Sequence, residues 1–471
     1  MEAFVYQVEE LAAFLRGAPF IILLLGTGIY LTFRLGGVQF RAARHAWKVV
    51  FRKGEGNKGD VTGYEALSTV LAGTIGTGNI AGVATALVAG GPGAIFWMWI
   101  TVLFGMSLKF ASCTLSHCYR EMSKDGQMAG GPMYTLKNGL NMPKLGAAFA
   151  IFVLLAGFTT GGLVQSHSVI SGFVYIIPAA EEHSLLMGFI IAGLVGLVTL
   201  GGVKRIAKVA SVVVPFMAVL YCAAAVLILI LNIDEVPKAF STIFIAAFNP
   251  EAVGGAAIGL AIQYGVVRAL FASETGLGTA PIGLAATKSD EPVQVGLIGM
   301  VGPWVDTLTI CTLTALVIII SGGWGDTLPD GLSGAALSAY AFESGLASLG
   351  PVASTLGAWV VGFGLVFFAY TTMLAWAYYS DKSAQFLFGE KVIKPFRFLF
   401  LAVLVLGSVG EIGLVWNIAD IANVLMAVPN LISLILLAGV VKKLSDDYFL
   451  RLGGYTSKES MQMKAAMSEQ D

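Results

Sequence analysis

The stretch "LAGTIGTGNIAGVATAL", residues 71–87, has two very different interpretations. Residues 76–81 match G-x-G-x-x-G/A, the phosphate-binding turn of dinucleotide folds. Such a turn needs an acidic residue about 20 positions further on, where it binds the ribose. Met98 stands there, and no Asp or Glu occurs between Glu65 and Glu121. We therefore reject the cofactor interpretation, which leaves either a helix interrupted inside a membrane or close glycine packing in an unbroken helix.

The composition favours a membrane protein. Of the 471 residues, 56% are hydrophobic and only 12% are charged, which is too little charge to cover a soluble surface. The 58 glycines suit helices that approach each other closely in lipid. The net charge of -1 gives no indication of nucleic acid binding, and the four cysteines contain no C-x-x-C pair that predicts a metal site.

Hydrophobic runs of about 20 residues predict eleven transmembrane helices in an all-α polytopic protein. One isolated span comes first and ten follow, at residues 18–35, 64–89, 91–118, 145–176, 184–202, 207–232, 257–286, 294–321, 351–379, 396–410 and 413–440. The pieces 236–250 and 333–349 are expected to lie along the outer face without crossing. The polar tail 452–471 is expected to be disordered.

The distribution of basic residues predicts the orientation of these spans. Of the 28 Lys and Arg residues, 24 fall in alternate connections and at the carboxyl end. Positive charge accumulates on the cytoplasmic side of membrane proteins. We therefore expect the amino terminus outside and the carboxyl terminus in the cytoplasm of a multi-pass cell-membrane protein. The resulting divisions are 1–17 outside, 18–35 as an extra helix, 64–232 and 257–440 as two five-helix repeats, and 441–471 as a cytoplasmic tail.

A second interrupted span makes the first more informative. The sequence "FASETGLGTAPIG", residues 271–283, repeats the paired glycines and adds Pro281. Glycine and proline are poor residues for a helix interior, and unpaired backbone groups are tolerated in a membrane only where they are buried in protein or line a cavity. The two interruptions fall in the first and sixth of the ten later spans. Five spans reverse direction across the membrane, so the two halves are expected to be inverted repeats with a transport site between them.

Several segments together resemble the alanine or glycine:cation symporter family, within the amino acid–polyamine–cation superfamily. They are "GTIGTGNIAGVATAL" at 73–87, "GGPMYTLKNGL" at 130–140, "RALFASETGLGTAP" at 268–281, "TTMLAWAYYSDK" at 371–382 and "WNIADIANVLMAVPNL" at 416–431. The resemblance implies a LeuT-type fold with a 5+5 inverted repeat after one amino-terminal helix. It also implies uptake of a small neutral amino acid, with Na⁺ as the coupling ion and no organic cofactor.

The chain departs from that family in the second interruption. The family usually reads R-G-x-F-S-N-E-A-G, whereas Ala272 and Ser273 stand here in place of Ser and Asn. Alanine or glycine is the expected substrate, and glutamine or serine remains open. No protein partner is indicated.

A zwitterionic substrate needs hydrogen-bond donors at one end and acceptors at the other. The backbone N–H groups of the first interruption suit a carboxylate, and the carbonyl groups of the second suit an ammonium. The family resemblance adds Gln165, and the face shared with Thr372 adds Trp376, which is expected either to limit the substrate's side chain or only to pack. The candidate substrate contacts are Gly76, Thr77, Gly78, Asn79, Gln165, Phe271, Ser273, Thr372 and Trp376.

Oxygen atoms for a hard cation are available beside the first interruption. The Phe368 carbonyl precedes the hydroxyls of Thr371 and Thr372 by three and four residues, so all three share one helical face. Ala72 and Ile75 offer further carbonyls, and LeuT-type symporters place a sodium ion in this arrangement. Adjacent threonines more often only bond back to their own helix. A second sodium is expected to use Thr74 and Asn79.

The charges inside the spans leave one alternative open. Arg268 is expected to pair with a nearby acid such as Glu274, and Lys109 is expected near the inner face. Proton coupling through Glu274 or Asp306 would give a proton-coupled transporter of the same fold. An intramembrane enzyme is not expected because H-E-x-x-H and G-x-S-x-G are both absent from the sequence. A channel would not require two interruptions at matched positions.

Overall fold

The computed structural model describes residues 2–52, 59–124, 126–248, 258–325, 331–409 and 412–453. The helices are α1 Glu2–Leu15, α2 Ala18–Arg34, α3 Val38–Arg41, α4 Ala43–Val50, α5 Gly63–Thr74, α6 Ala81–Gly90, α7 Gly93–Cys118, α8 Pro132–Tyr134, α9 Pro143–Phe158, α10 Val164–Ile176, α11 Ser184–Thr199, α12 Gly202–Leu231, α13 Val236–Phe248, α14 Ile258–Ser273, α15 Ala280–Leu284, α16 Pro292–Val305, α17 Thr312–Ile320, α18 Gly334–Gly345, α19 Pro351–Phe388, α20 Ile393–Gly407, α21 Ile412–Leu436 and α22 Ala438–Arg451.

Short elements join or interrupt these helices. Three five- or six-residue π-helical turns occur at Thr135–Gly139, Thr159–Leu163 and Asp306–Cys311. Short 3₁₀ turns occur at Thr77–Asn79, Pro178–His183, Ile233–Glu235, Ala347–Leu349 and Glu390–Val392. Strands β1 Glu121–Met122 and β2 Met128–Ala129 pair in antiparallel register. The described part of the chain is therefore predominantly helical, as the sequence predicts.

Within the described residues, eight helical stretches are long and apolar enough to cross a membrane. They are Val5–Arg34, Gly93–Cys118, Pro143–Ile176, Pro178–Thr199, Gly202–Leu231, Pro292–Ile320, Pro351–Phe388 and Gly413–Leu436. Each overlaps one of the eleven expected spans. The other three are α5 with α6, α14 with α15, and α20, which has 15 residues. Two of these three contain no single helix long enough to cross a membrane, because each is interrupted. The count of eleven therefore remains a prediction.

The outer surface of the helix assembly is apolar. Helices α11, α12 and α20 carry large hydrophobic side chains that are more than half exposed, among them Phe189, Leu197, Val212, Phe216 and Phe398. Apolar patches this extensive are unusual on a soluble protein and are typical of a surface that faces lipid. Many polar side chains, by contrast, are buried in the interior. The assembly therefore has the polarity of a polytopic membrane protein.

The helix contacts occur in pairs that correspond between the two expected repeats. Helix α5 packs on α16, and its counterpart α14 packs on α7, the counterpart of α16. In the same way α12 packs on α19 while α21 packs on α9. Exchanging the two halves therefore maps one set of contacts onto the other, as expected of two structural repeats.

Regions outside the spans agree with the sequence in part. Helices α13 and α18 lie within the two segments expected not to cross, although 249–250 fall outside the described residues. Within the expected outer segment 1–17, residues Glu2–Leu15 form helix α1. Helix α22 extends the chain to Arg451, and most of the tail expected to be disordered, 454–471, also falls outside the described residues.

Candidate functional site

The first interruption is a true break in the helix. Helix α5 ends at Thr74, a short 3₁₀ turn follows, and α6 begins at Ala81. The Asn79 side-chain oxygen accepts a 3.0 Å hydrogen bond from the Gly76 N–H, which stabilises the turn between the two half-helices. The segment is buried throughout. The prediction of an interrupted helix is confirmed, and unbroken glycine packing is excluded.

The second interruption is also a break. Helix α14 ends at Ser273 and α15 begins at Ala280. Between them Glu274 has φ 51°, and Gly276 and Gly278 have φ 86° and 89°. Glycine adopts this region without the steric cost that a Cβ imposes, so the paired glycines allow the chain to turn here. The Thr279 hydroxyl donates a 2.6 Å hydrogen bond to the Glu274 carboxylate across the break.

The two breaks face each other. A Cβ atom added at Gly78 would lie 2.8 Å from the Phe271 ring and 3.0 Å from Ala272 Cα. Distances below about 3 Å are not tolerated between real carbon atoms, so this glycine is needed for the approach of the half-helices. Gly78 and Phe271, both expected substrate contacts, are therefore brought together by the fold.

The five oxygen donors expected to hold a cation are also brought together. The Thr372 hydroxyl oxygen lies 2.8 Å from the Phe368 carbonyl oxygen, 3.0 Å from that of Ala72 and 3.5 Å from that of Ile75. The Thr371 hydroxyl lies 3.1 Å from the same Phe368 carbonyl. Helix α19 thus contributes three oxygens and the end of α5 contributes two.

Several polar atoms of the π-turn that follows α16 lie beside the expected second cation site. The Asn79 side-chain nitrogen donates to the Asp306 carbonyl at 3.2 Å and lies 3.3 Å from the Cys311 sulfur. The Asp306 carboxylate accepts a 2.6 Å hydrogen bond from the Thr307 hydroxyl, and the Thr74 side chain lies close to it. Asp306 therefore adds a fully buried acid to the neighbourhood of Thr74 and Asn79.

Lys109, Glu274 and Asp306 are three ionisable side chains buried in the interior of the helix assembly. Lys109 of α7 is only 2% exposed, and its positive charge acts on the carboxylates of both Glu274 and Asp306. The Lys109 ammonium has no hydrogen-bond partner among the described residues. Lys109 was expected near the inner face; the structure shows that α7 packs against α16 and that the Lys109 side chain is enclosed by protein.

Glu274, the example given of an acid that Arg268 would pair with, does not form an ion pair with it. The Arg268 guanidinium lies over the Trp416 ring, with 5.1 Å between the guanidinium carbon and the ring centroid. Arg268 lies in α14, and the left-handed backbone conformation at Glu274 turns the chain away from the axis of that helix. The Glu274 carboxylate consequently points to Thr279 and the Lys109 side of the assembly.

Gln165 lies next to the first break. Its side-chain oxygen is 3.5 Å from the Thr77 backbone nitrogen, and its side-chain nitrogen donates to the Thr160 carbonyl at 3.1 Å. Thr160 belongs to the π-turn that joins α9 to α10. Wide turns of this kind leave carbonyl groups free to bond elsewhere and are frequent at functional sites. The turn thereby orients Gln165 toward the first break.

Trp376 and Ser273 are oriented mainly by their own surroundings. Trp376 is fully buried and packs so closely on Gly161 that an added Cβ would lie 2.3 Å from the Trp376 Cβ. The Ser273 hydroxyl bonds back to the Ala269 carbonyl at 2.7 Å and to the Thr275 hydroxyl. The Ser273 side chain therefore completes the end of α14, and only its backbone remains a candidate for substrate contact.

Sequence reasoning missed the π-turns and the burial of Lys109 in the same interior as Glu274 and Asp306. A weak signal for one turn was present, because Gly161 and Gly162 follow two threonines inside an apolar span. Lys109 had the clearer signal, since a lysine deep in an apolar span requires a charged or polar partner. The two acids on which its charge acts, Glu274 and Asp306, lie 165 and 197 positions further along the chain and come into its surroundings only through packing.

Comparisons with known proteins agree over nearly the whole chain. The model of the sodium:alanine symporter family matches residues 1–462. The sodium/alanine symporter AgcS of Methanococcus maripaludis is 46% identical over 444 residues, covering 93% of this chain and 96% of that protein. The "Probable sodium/glutamine symporter GlnT" of Bacillus subtilis is 37% identical over 434 residues, covering 91% and 87%.

A solved structure supports the fold independently of these sequence matches. The crystal structure of MhsT in complex with L-phenylalanine has a TM-score of 0.55 at 12% identity, covering 83% of this chain and 99% of that one. MhsT is a transporter with the LeuT fold, so the likeness shows the same general arrangement of helices here. With two broken helices facing each other and a family match along its length, the chain belongs to the sodium:alanine symporter family, whose members are transporters and not enzymes.

Proposed function

We propose that this protein is a sodium-coupled symporter that takes up a small neutral amino acid, alanine or glycine first, by alternating access. The observation that carries the proposal is the convergence of the Ala72, Ile75 and Phe368 carbonyl oxygens on the Thr372 hydroxyl, at 3.0, 3.5 and 2.8 Å. Family membership supports the coupling to sodium and the amino acid as cargo.

The chemistry of this cluster favours a cation. A threonine hydroxyl carries one proton and can donate to one carbonyl at a time. Three carbonyls around Thr372 therefore exceed its capacity as a donor, and buried carbonyl dipoles left unmatched are unfavourable. Sodium, a hard cation that prefers oxygen ligands, would satisfy all of them together with the Thr371 hydroxyl. The same ion would connect α5 to α19, so binding it would favour one conformation of the broken helix.

A second sodium is proposed between the Thr74 carbonyl and Asn79. The buried Asp306 carboxylate beside Thr74 supplies negative charge close to this position. The side-chain orientation of Asn79 in the structure, with its oxygen toward the Gly76 N–H, would have to change for that oxygen to reach an ion.

The proposed substrate position lies between the two breaks. Backbone N–H groups of Gly76, Thr77 and Gly78 would bind the carboxylate, and the Phe271 and Ser273 carbonyls would bind the ammonium. Gln165 is already within 3.5 Å of the Thr77 nitrogen, which supports its role as a substrate contact. Trp376 is proposed to limit the side chain. The names of AgcS and GlnT indicate alanine and glutamine as the two substrates to compare first.

We propose eleven transmembrane helices, with the amino terminus outside and the carboxyl terminus in the cytoplasm of the cell membrane. The bundle that contains the two broken helices would move against α9, α10, α19 and α20. Substrate and sodium would both favour the same state, which couples their movement.

A proton-coupled transporter of the same fold is the second candidate. Its supporting observation is the pair of buried carboxylates, Glu274 and Asp306, which are 3% and 0% exposed. A protonatable acid inside a membrane protein is a common element of proton relays. Lys109 acts on both acids, so the group carries one uncompensated negative charge when all three side chains are ionised.

The deciding experiment measures labelled alanine, glycine and glutamine uptake into proteoliposomes. Accumulation with an inward sodium gradient, lost when choline replaces sodium, is the expected result. Uptake that persists in choline and collapses with a protonophore would show that protons, and not sodium ions, drive transport. Failure of a stable, folded preparation to accumulate any of the three would refute the proposed substrate class.

A further inference from the structure

A cavity of about 440 Å³ lies on the α18 side of the two broken helices. Helices α6, α10, α14, α18 and α21 all contribute to its wall. Its polar wall consists of one guanidinium, one imidazole and several hydroxyl groups, from Arg268, His167, Thr85, Ser168, Ser171 and Ser333. Among the described residues that line the cavity, none is acidic, and Arg268 carries a full positive charge.

Arg268 is the charged group of this cavity, and no ion pair to its guanidinium is formed by the part of the chain that the structure describes. The side chain is 6% exposed, and its Nε and Nη1 atoms have no hydrogen-bond partner among the described residues. A buried guanidinium normally has a carboxylate or several carbonyl oxygens around it, because burying a charge without partners is very unfavourable. The stacking on Trp416 contributes attraction from the ring but supplies no acceptor for these N–H groups.

An aromatic layer separates this cavity from the proposed substrate position. The Phe271 and Trp416 rings lie 5.0 Å apart, and Phe271 in turn contacts Gly78 of the first break. Val164 and Ala419 pack into the same small apolar cluster. Trp416 and Arg268 line the cavity, whereas Phe271 does not. A molecule in the cavity would therefore be one aromatic layer away from the space between the breaks.

We propose that Arg268 forms a carboxylate-binding subsite in this cavity, where an incoming amino acid is held before it passes the Phe271–Trp416 layer. The inference rests on the proposed function for the identity of its ligand. It adds a binding position that is distinct from the backbone N–H groups of Gly76, Thr77 and Gly78.

The ligand chemistry follows from the wall of the cavity. A guanidinium presents two parallel N–H groups that match the two oxygens of a carboxylate, and its charge strengthens both hydrogen bonds. Ser168, Ser171 and Ser333 can donate further hydrogen bonds to an anion or accept them from the substrate's ammonium group. None of the cavity residues belongs to the proposed sodium sites, so binding here is expected to be independent of sodium.

The first test is binding without sodium. Propionate, which is alanine without its amino group, is titrated against the purified protein in choline methanesulfonate and detected by saturation-transfer NMR. We expect saturable binding to the wild type, an affinity at least about tenfold weaker in Arg268→Gln, and an intermediate affinity in Arg268→Lys. The exposed Arg205 offers a matched control, and Arg205→Gln should bind propionate as the wild type does.

The competing ligands are separated by two further titrations. Alaninamide, which lacks the carboxylate, should not displace propionate. Chloride added at matched ionic strength should displace propionate only weakly. If chloride displaced propionate as strongly as alanine does, the cavity would be an inorganic anion site and the proposal would be overturned. Absence of propionate binding to the wild type, or unchanged binding in Arg268→Gln, would also overturn it. If Arg268→Gln does not fold, the propionate affinity of Arg268→Lys is the deciding measurement. An affinity equal to that of the wild type would refute the subsite.

An uptake measurement separates this inference from the proposed function. Arg268→Lys should raise the external alanine concentration for half-maximal uptake severalfold, in line with its intermediate affinity for propionate, with the sodium concentration for half-maximal uptake unchanged. A general loss of folding would shift both values or reduce only the maximal rate. Wild-type protein that accumulates alanine but does not bind propionate would refute the subsite alone. Protein that binds propionate through Arg268 but accumulates no amino acid would refute the proposed function alone.

Discussion

Replacing Thr372 with alanine tests the proposed sodium site at its centre. The Thr372 hydroxyl lies 2.8 to 3.5 Å from three carbonyl oxygens that come from two different helices. Alanine removes this oxygen and leaves those carbonyls in place. The site would then have four of its five oxygens, and the direct hydrogen-bonded contact between α19 and the end of α5 would be lost.

The size of the effect follows from the charge of the ligand. A hydrogen-bonding oxygen that interacts with a charged group contributes about 1.5–3 kcal/mol in a buried site. Removing it should raise the sodium concentration for half-maximal uptake by about 10- to 100-fold. The alanine concentration for half-maximal uptake at saturating sodium should change much less, because the proposed carboxylate donors in the first break are unaltered.

The assay is initial-rate uptake of labelled alanine into proteoliposomes over a series of sodium concentrations at constant ionic strength. Thr372→Ser keeps the hydroxyl and is the matched control, expected to remain within a few-fold of the wild type. Thermal unfolding in sodium-free detergent shows whether the alanine variant is folded. Unchanged sodium dependence of a folded Thr372→Ala protein would refute the assignment of this cluster as a cation site.

Three further predictions concern close packing and buried charge. A Cβ added at Gly76 would lie 2.6 Å from the Thr372 hydroxyl oxygen, so Gly76→Ala should abolish sodium-driven uptake in a protein that remains monodisperse; wild-type rates would contradict this close approach. Arg397 and Asp381 form a largely buried ion pair at 2.7 Å, so Arg397→Met should destabilise the protein by about 3–5 kcal/mol, measured as a lower unfolding midpoint in detergent; an equal midpoint would show that the pair contributes nothing. Lys109 compensates two buried carboxylates, so Lys109→Gln should unfold at a lower temperature and regain part of the loss in added sodium; a deficit that sodium leaves unchanged would argue against a cation near these acids.

Much of the fold could be predicted from local sequence because lipid imposes strict rules. A span must be long and apolar, and it must satisfy its backbone hydrogen bonds internally. The paired glycines of residues 76–78 and 276–278 violate that rule at two matched positions, and the structure breaks the helix at both. Part of the oxygen cluster proposed to bind sodium was accessible for a similar reason, since Phe368, Thr371 and Thr372 share a helical face by spacing alone.

The charged interior was less predictable because it depends on distant contacts. Arg268 and Glu274 are six residues apart, yet the break between them sends one to Trp416 and the other toward Lys109. The π-turn at 306–311 similarly brings Asp306 next to Asn79, 227 positions away. No periodicity in the sequence carries information about such pairs.

The sequence alone determined the class of protein, the position of the apolar helices and the two places where helices must break. These properties depend on the free energy of each residue in lipid and on backbone hydrogen bonding within one segment, which are local. Only the tertiary structure decided which polar groups meet at those breaks. The convergence on Thr372, the burial of Lys109 in the same interior as two acids and the stacking of Arg268 on Trp416 all depend on packing between segments far apart in the chain. Small differences in helix direction decide which of these side chains touch.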